Sequence, residues 1–157
     1  MSAALLFTSC EPNAPEIKFD DQYMTGSWEI VSDYQFNEET IVTVSGTLVF
    51  EEGSRYRGEI QTKCTSTDSD LVIYRYTITV EGEWSIDGNA LIKTRHKASV
   101  TDFQSLSPYL VKKVIEIKAE QSIKVEKRYS LNLLEDNKIV IHGSEENEKF
   151  TFTRKQE

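Results

Sequence analysis

The regular alternation of apolar and polar residues along most of this chain is the feature that most restricts its fold. The segment "RYRGEIQTKCT", residues 55–65, places Tyr56, Ile60 and Cys64 on one face and charged or amide side chains on the other. The same period begins at residue 26 and recurs towards the C-terminus. A period of two residues indicates strands that bury one face. We therefore expect a mainly β protein.

Short turn sequences separate these segments, so neighbouring strands are expected to pair antiparallel. The sequences "EEGS" and "STDSD" are typical of turns, and Asp87-Gly88 is a strong signal for a short hairpin loop. An open sheet of eight or nine strands would expose two edges, and closure into a barrel removes them. We predict a single domain over residues 25–157, an antiparallel up-and-down β-barrel of eight to nine strands.

One segment of the chain departs from the period of two. Its apolar residues recur at helical spacing, at Leu106, Leu110, Val114 and Ile117. Ser107-Pro108 supplies an N-cap residue followed by proline at the first helical position. We predict one inserted α-helix over about residues 108–119.

The N-terminal sequence "MSAALLFTSCEPNAPE" changes from small and apolar to polar and proline-containing directly after Cys10. This change resembles the end of a bacterial lipoprotein signal, in which the cysteine becomes the lipidated first residue. We expect Cys10 to be lipidated and residues 1–24 to be a remnant signal and tether, with Cys64 left as a small buried side chain. The alternatives are a disordered tail and, in an exported protein without lipid, a disulfide between the two cysteines.

Composition and motifs exclude several classes of function. The formal charge of −8 and the scattering of basic residues among acidic ones, as in "KVEKR", argue against a nucleic-acid surface. His96 and His142 have no predictable carboxylate or serine partner, and we interpret both as surface residues. No phosphate-binding glycine loop or metal-ligand spacing is found. We expect no enzymatic activity, no cofactor and no metal.

Two strands begin with glycine, one spacer and tryptophan: Gly26 and Trp28 in "GSW", and Gly82 and Trp84 in "GEW". Glycine at the start of a strand allows a tight turn or the close approach of a neighbouring backbone. A tryptophan two residues later buries a large area at the base of a small barrel. We predict that these four residues close the barrel. The first motif resembles the Gly-x-Trp signature of lipocalin-like barrels, so we expect a lipocalin-like fold.

A more specific resemblance covers about residues 81–128. The order and spacing of "EGEWSIDGNALI", "ASVTDFQSL" and "VIEIKAEQSIKVEK" are similar to the periplasmic part of ToxS-type proteins, of which VtrC is a functional analogue. The most distinctive piece is "AEQS", residues 119–122, just before a strand. ToxS-type proteins are the small partners of ToxR-like membrane-spanning transcription regulators.

The ToxS/VtrC-type resemblance implies a lipocalin-like barrel that forms a heterodimer with the periplasmic sensory domain of a ToxR-like regulator and stabilises it. In some members the pair takes up bile salts. Such proteins usually carry an N-terminal transmembrane anchor, and a lipid on Cys10 would take its place here. The resemblance therefore predicts a periplasmic, membrane-tethered accessory protein. The alternative is a free-standing lipocalin-like lipoprotein that binds a small hydrophobic ligand.

Aromatic residues dominate the expected interior of the barrel. The candidates for a ligand pocket are Tyr34, Phe36, Tyr56, Tyr74, Tyr76, Phe150 and Phe152. A lining rich in tyrosine suits an amphipathic ligand, which needs apolar walls and a few hydroxyl groups. The alternative is that these rings only fill the core. An exposed strand could also accept a strand of a partner, so that two chains complete one barrel.

Overall fold

A computed structural model describes residues 19–145 and 148–156, so Cys10 and most of the expected tether lie outside the described residues. Within the described residues, two helices and eight strands follow in the order α1 Asp21–Met24, β1 Gly26–Asn37, β2 Thr40–Glu51, β3 Arg55–Ser66, β4 Val72–Asp87, β5 Ala90–Ser105, α2 Pro108–Gln121, β6 Glu126–Glu135, β7 Lys138–His142 and β8 Lys149–Arg154. The prediction of a mainly β chain is confirmed.

The strands form one closed, antiparallel up-and-down barrel. Each strand pairs with its neighbour in sequence, and β8 pairs with β1 to close the ring. Hairpin turns connect the strands where the sequence predicts them, and Gly53 and Gly88 adopt φ angles of 83° and 61° in two of these turns. Glycine favours such left-handed conformations because it lacks a Cβ atom. The predicted barrel is confirmed, with eight strands.

The barrel closes over only part of its height. Among the described residues, β8 pairs with β1 over Trp28–Val31, and β6 pairs with β5 over Ala90–Thr94. The strands β1 to β5 are 12 to 16 residues long, and the three that complete the ring are shorter. The long strands therefore continue past the ring. We call the part of β1–β5 beyond Val31 and Thr94 the open end, and the opposite part the closed end.

The hydrophobic core lies at the closed end. Trp28, Phe50 and Phe152 are almost completely buried there, and the rings of Phe50 and Trp84 meet edge to face at 5.3 Å. Edge-to-face contact is a favoured arrangement of aromatic pairs. The core therefore follows from the period of two in the sequence, because alternate residues of each strand point into the barrel.

Helix α2 extends two residues beyond the end predicted for it. Pro108 occupies the start of the helix as expected, but the side chain of Ser107 makes no capping hydrogen bond among the described residues. Instead, the backbone N–H of Ser107 donates to Ser105 Oγ at 3.1 Å. Ser107 is the N-cap residue, as predicted. At the other end of the helix, Arg95 Nη1 donates to Ser122 Oγ at 2.7 Å, which holds this end of α2 against β5.

The segment directly before β1 belongs to the barrel and not to a tether, which corrects the expected boundary at residue 24. Met24 is completely buried in the core, and Phe19 and Tyr23 pack against this core. Trp28 Nε1 donates to the carbonyl oxygen of Met24 at 2.8 Å, and the Arg154 guanidinium donates to the carbonyl of Tyr23. These contacts with residues of two strands fix the short helix α1.

Candidate functional site

The two Gly-x-Trp motifs lie at the closed end of the barrel. Trp84 is buried, and its Nε1 donates to the carbonyl oxygen of Arg55 at 2.9 Å. Gly26 adopts a φ of 126°, and Arg154 Nη1 would lie 3.3 Å from a Cβ added there. At Gly82 an added Cβ would lie 2.7 Å from Tyr56 Cε1 and even closer to a backbone oxygen of β5. Both glycines therefore permit close packing that a larger residue would prevent.

A cavity of about 200 Å³ lies inside the barrel, above the core. It is lined by Tyr56, Lys93, Arg95, Ser122, Val125, Lys127, Tyr129, Glu148 and Phe150. Leu91, which is completely buried, shares its face of β5 with Lys93 and Arg95 because alternate residues of a strand point the same way. Two cationic side chains of β5 therefore point into the barrel.

A second cavity, of about 300 Å³, adjoins the first towards the open end. It is lined by Tyr34, Val44, Ile60, Thr62, Tyr76, Ile78, Arg95, Glu145, Glu148 and Phe150. The two cavities share Arg95, Glu148 and Phe150, and we call them together the cleft. The first cavity is rich in cationic side chains, and the second is rich in apolar and tyrosine side chains but also contains Glu145. Such a division suits a ligand with one charged end.

Lys93 is held in the cleft by two aromatic rings. Its Nζ lies 4.8 Å from the ring centroid of Tyr129 and 5.6 Å from that of Tyr56. Burial, followed by repulsion from Arg95 and Lys127, lowers the pKa of Lys93 to about 7, although Glu148 partly opposes this shift. Lys93 therefore changes its charge near neutral pH, where an ordinary lysine stays protonated.

Arg95 and Lys127 differ in how their charges are compensated. Lys127 forms an ion pair with Glu148. Burial opposes ionisation of Glu148, but the hydrogen bond and charge of Lys127, together with backbone hydrogen bonds from Glu145 and Ser144, lower the pKa of the carboxyl group. Arg95 Nε is buried and has no hydrogen-bond partner among the described residues. A buried donor without a partner is costly, so Arg95 is poised to bind an acceptor.

Of the seven aromatic residues predicted for a ligand pocket, four line the cleft: Tyr34, Tyr56, Tyr76 and Phe150. Tyr74 stacks on Tyr76 with ring centroids 6.2 Å apart, and Phe152 is 1% exposed within the core. Phe36 is 68% exposed, so its predicted interior position is wrong. It lies at a register irregularity between Gln35 and Asn37, beyond the residues of β1 that pair with β8.

Sequence reasoning missed Lys93 and Arg95 as site residues. In an alternating strand, charged residues are ordinarily assigned to the solvent face. The available signal was their spacing from Leu91, since residues 91, 93 and 95 share one face of β5. His96, on the opposite face, is exposed, and its Nε2 lies 3.7 Å from a carboxylate oxygen of Glu83.

Three other features of the described residues bear on function. Over residues 19–145 and 148–156, no three His, Cys, Asp or Glu side chains come together as ligands for a metal. None of the helices in these ranges has the length and apolar character required to cross a bilayer. Cys64 is a free, buried thiol whose pKa is raised by burial, which disfavours the reactive thiolate.

Lys93→Met is expected to raise the free energy of unfolding at pH 6 by about 2 kcal/mol, because it removes a buried charge and keeps the chain length. Lys93 has a pKa of about 7 in the folded protein and an ordinary value of 10.5. Between these values the unfolded chain binds more protons, so wild-type stability rises with pH and the advantage of the variant shrinks. Urea unfolding at pH 6 and pH 9 measures this difference.

The matched control for this prediction is Lys97→Met. A register shift between Arg95 and Lys97 interrupts the alternation of β5 and turns Lys97 to the solvent face, where its side chain is 77% exposed. Its difference from wild type is expected to be the same at both pH values. If Lys93→Met also shows the same difference at pH 6 and pH 9, the lowered pKa of Lys93 is wrong.

Comparison with known proteins adds no assignment to this geometry. No protein-family model matches the chain, and no curated protein matches its sequence.

Proposed function

We propose that this chain is a membrane-tethered periplasmic accessory protein that binds and stabilises the periplasmic sensory domain of a ToxR-like transcription regulator. In this proposal the cleft takes up a bile-salt-like amphipathic molecule, alone or together with the regulator. The observation that carries the proposal is the open end of the barrel, where five strands continue past the closed ring beside a cleft. No catalytic group is needed for this function.

The edge of β1 at the open end supports binding of a partner strand. Lys155 N–H donates to the carbonyl oxygen of Ser27, so odd-numbered residues of β1 direct their backbone groups towards β8. Asp33 lies beyond the last residue that pairs with β8 and next to Ser32, whose Oγ donates to the carbonyl oxygen of Lys149 at the start of β8. The N–H of Asp33 therefore lies where the edge of β1 becomes unpaired. Unpaired edges are the sites where β-sheets accept a strand of another chain.

Exposed apolar side chains lie beside the same edge. Phe36 and Ile41, on the hairpin of β1 and β2, and Val31, on β1, are all exposed. On the other side of the opening, β5 is flanked by α2. The β1 side is thus the more accessible edge for a partner, and its apolar side chains would be buried by the contact.

The size and lining of the cleft support uptake of a small molecule. Its two adjoining cavities of about 200 and 300 Å³ together fall in the range of ligand sites in proteins, about 300 to 1,000 Å³. Tyr34, Tyr56 and Tyr76 contribute aromatic rings and hydroxyl groups to the lining. These are the groups that an amphipathic ligand requires.

A free-standing lipocalin-like lipoprotein is the second candidate function. It is favoured by the closure of the barrel without any partner, because β1 and β8 of the same chain complete the ring. The two candidates share the cleft and differ in whether the edge of β1 is occupied in the functional protein.

Co-expression of the full chain with the periplasmic domain of a regulator encoded beside it tests the proposal. The two are expected to purify together, and a partner present at about 100 times its Kd should stabilise the regulator domain by about 2.7 kcal/mol. Asp33→Pro removes the N–H at the free edge and is expected to weaken the complex, while Asp33→Ala keeps this N–H and should not. Thermal unfolding and gel filtration give both results.

Two outcomes would contradict different parts of this proposal. Separate purification with unchanged melting temperatures would contradict the complex itself. Equal affinity of the Asp33→Pro and Asp33→Ala variants for the regulator domain would contradict strand addition at β1. The complex would then form through another surface of the barrel.

A further inference from the structure

We infer that the cleft recognises an amphipathic anion, whose carboxylate, sulfonate or phosphate group is held by Arg95 and Lys93 while its apolar body lies along Tyr76 and Ile78. The inference rests on the proposed function only in taking the cleft as a ligand site, and it does not depend on a regulator. It adds a charged subsite and the residues that form it.

The balance of charge in the cleft points to a missing anion. When Lys93 is protonated, Lys93, Arg95 and Lys127 bring three positive charges to the cleft. They face two acidic residues, Glu148 in both cavities and Glu145 in the second. Glu148 is paired with Lys127, and neither Lys93 nor Arg95 forms an ion pair among the described residues. Burial lowers the pKa of Lys93 and leaves Arg95 Nε without an acceptor among the described residues, so an anion placed between the two side chains would offset both costs.

The guanidinium of Arg95 is held in place for this contact. Its Nη1 donates to Ser122 Oγ at 2.7 Å, and Ser122 Oγ donates in turn to the carbonyl oxygen of Ala119 at 2.6 Å. The Nε of the same group is buried and without a partner among the described residues. An oxyanion accepts hydrogen bonds from a guanidinium in a defined, often forked geometry. Arg95 lines both cavities, so its ligand group would lie where they adjoin.

The second cavity provides for an apolar body attached to the anion. Val44, Ile60 and Ile78 contribute aliphatic side chains, and Tyr34 and Tyr76 contribute rings. These residues come from four neighbouring strands at the open end, from which a ligand can enter. An ion without an apolar part would leave the apolar surface of the second cavity exposed to water. An amphipathic anion therefore fits the cleft better than a free inorganic anion does.

Binding of such an anion is expected to depend on pH. The groups that face Lys93 are Arg95, Lys127, Glu148 and the rings of Tyr56 and Tyr129. An anion beside Lys93 favours its protonated form, and by linkage protonation of Lys93 favours the anion. Affinity should therefore be highest below the pKa of Lys93, about 7, and should fall as pH rises above it.

A pair of fluorescent probes that differ by one charged group tests the inference. Anilinonaphthalene sulfonate carries an aromatic body and a sulfonate, and N-phenylnaphthylamine carries the same rings without the sulfonate. In the full chain, Arg95→Met and Lys93→Met are each expected to weaken the sulfonate about tenfold, as loss of a charge-assisted hydrogen bond does. The neutral probe should change less than about twofold. Lys97→Met, on the outer face of β5, should change neither.

The outcomes separate the subsite from the cleft. Suppose that both probes bind the wild type and that each variant either weakens both probes equally or changes neither. The anion subsite is then wrong, and the cleft remains a ligand site. If neither probe binds the wild type, the ligand site in the proposed function is wrong as well. Circular dichroism confirms that each variant is folded.

A second measurement on the wild type decides the matter if a variant does not fold. Sulfonate affinity should fall from pH 6 to pH 9 and from about 0.05 M to about 0.5 M sodium chloride, with little change for the neutral probe. Equal responses of the two probes to pH and salt would overturn the inference.

Discussion

Trp28→Ala is expected to lower the free energy of unfolding by about 4 kcal/mol, because it removes a large side chain from the centre of the core. The indole is 0% exposed, its ring lies 6.4 Å from that of Phe152, and Arg154 covers it at 4.6 Å. Its Nε1 also holds the carbonyl of Met24, so the substitution leaves a cavity and releases α1 from the barrel. Urea unfolding followed by circular dichroism measures the loss.

Phe36→Ala is the matched control, because Phe36 is an aromatic residue of the same strand but is 68% exposed. Its loss is expected to stay below about 0.5 kcal/mol, as for most surface substitutions. Losses of similar size for Trp28→Ala and Phe36→Ala would contradict the position of the core at the closed end.

Gly82→Ala is expected to lower the free energy of unfolding by about 3 kcal/mol, because overpacking against backbone cannot be relieved by rotation of a side chain. Gly82 lies between Tyr56 of β3 and Arg95 of β5. An added Cβ would lie 3.0 Å from the Cα atom of Arg95 and would overlap the carbonyl oxygen of Thr94. The same Cβ would push the ring of Tyr56, so affinity of the cleft for a neutral aromatic probe should fall as well.

Gly53→Ala provides the comparison for this variant. No described atom lies within 4 Å of a Cβ added at Gly53, but the residue adopts a φ of 83°. The cost there is conformational alone, about 1 kcal/mol, and probe affinity should not change. If Gly53→Ala destabilises as much as Gly82→Ala, close approach of the strands is not the reason for glycine at position 82.

The barrel could be predicted from the sequence because its determinants are local. The alternation along β3, the loop at Asp87-Gly88 and the proline at residue 108 each act within a few residues, and their combination leaves few topologies. The short helix α1 was not predicted. Its four residues are too few to be stable alone, and the helix depends on contacts with Trp28 and Arg154.

The two errors at the candidate site both concern the arrangement of strands that are distant in sequence. Phe36 continues the apolar face of β1, but it lies past the residues that pair with β8 and at a register irregularity, so its side chain is exposed. Lys93 and Arg95 lie where the interior is wide enough to contain a cavity, and a charged side chain is tolerated there. Neither the extent of pairing between β8 and β1 nor the cavity can be predicted from the sequence of β1 or β5 alone.

The central claim is that the interior of the barrel, and not a reactive side chain, performs the function. Intermolecular nuclear Overhauser effects between N-phenylnaphthylamine and the labelled full chain test it most directly, because this neutral probe needs only the cleft. Contacts from the probe to the rings of Tyr34, Tyr76 and Phe150, which line the second cavity, are the predicted result. Contacts confined to exposed residues such as Phe36 and Leu106, or no saturable binding, would contradict it.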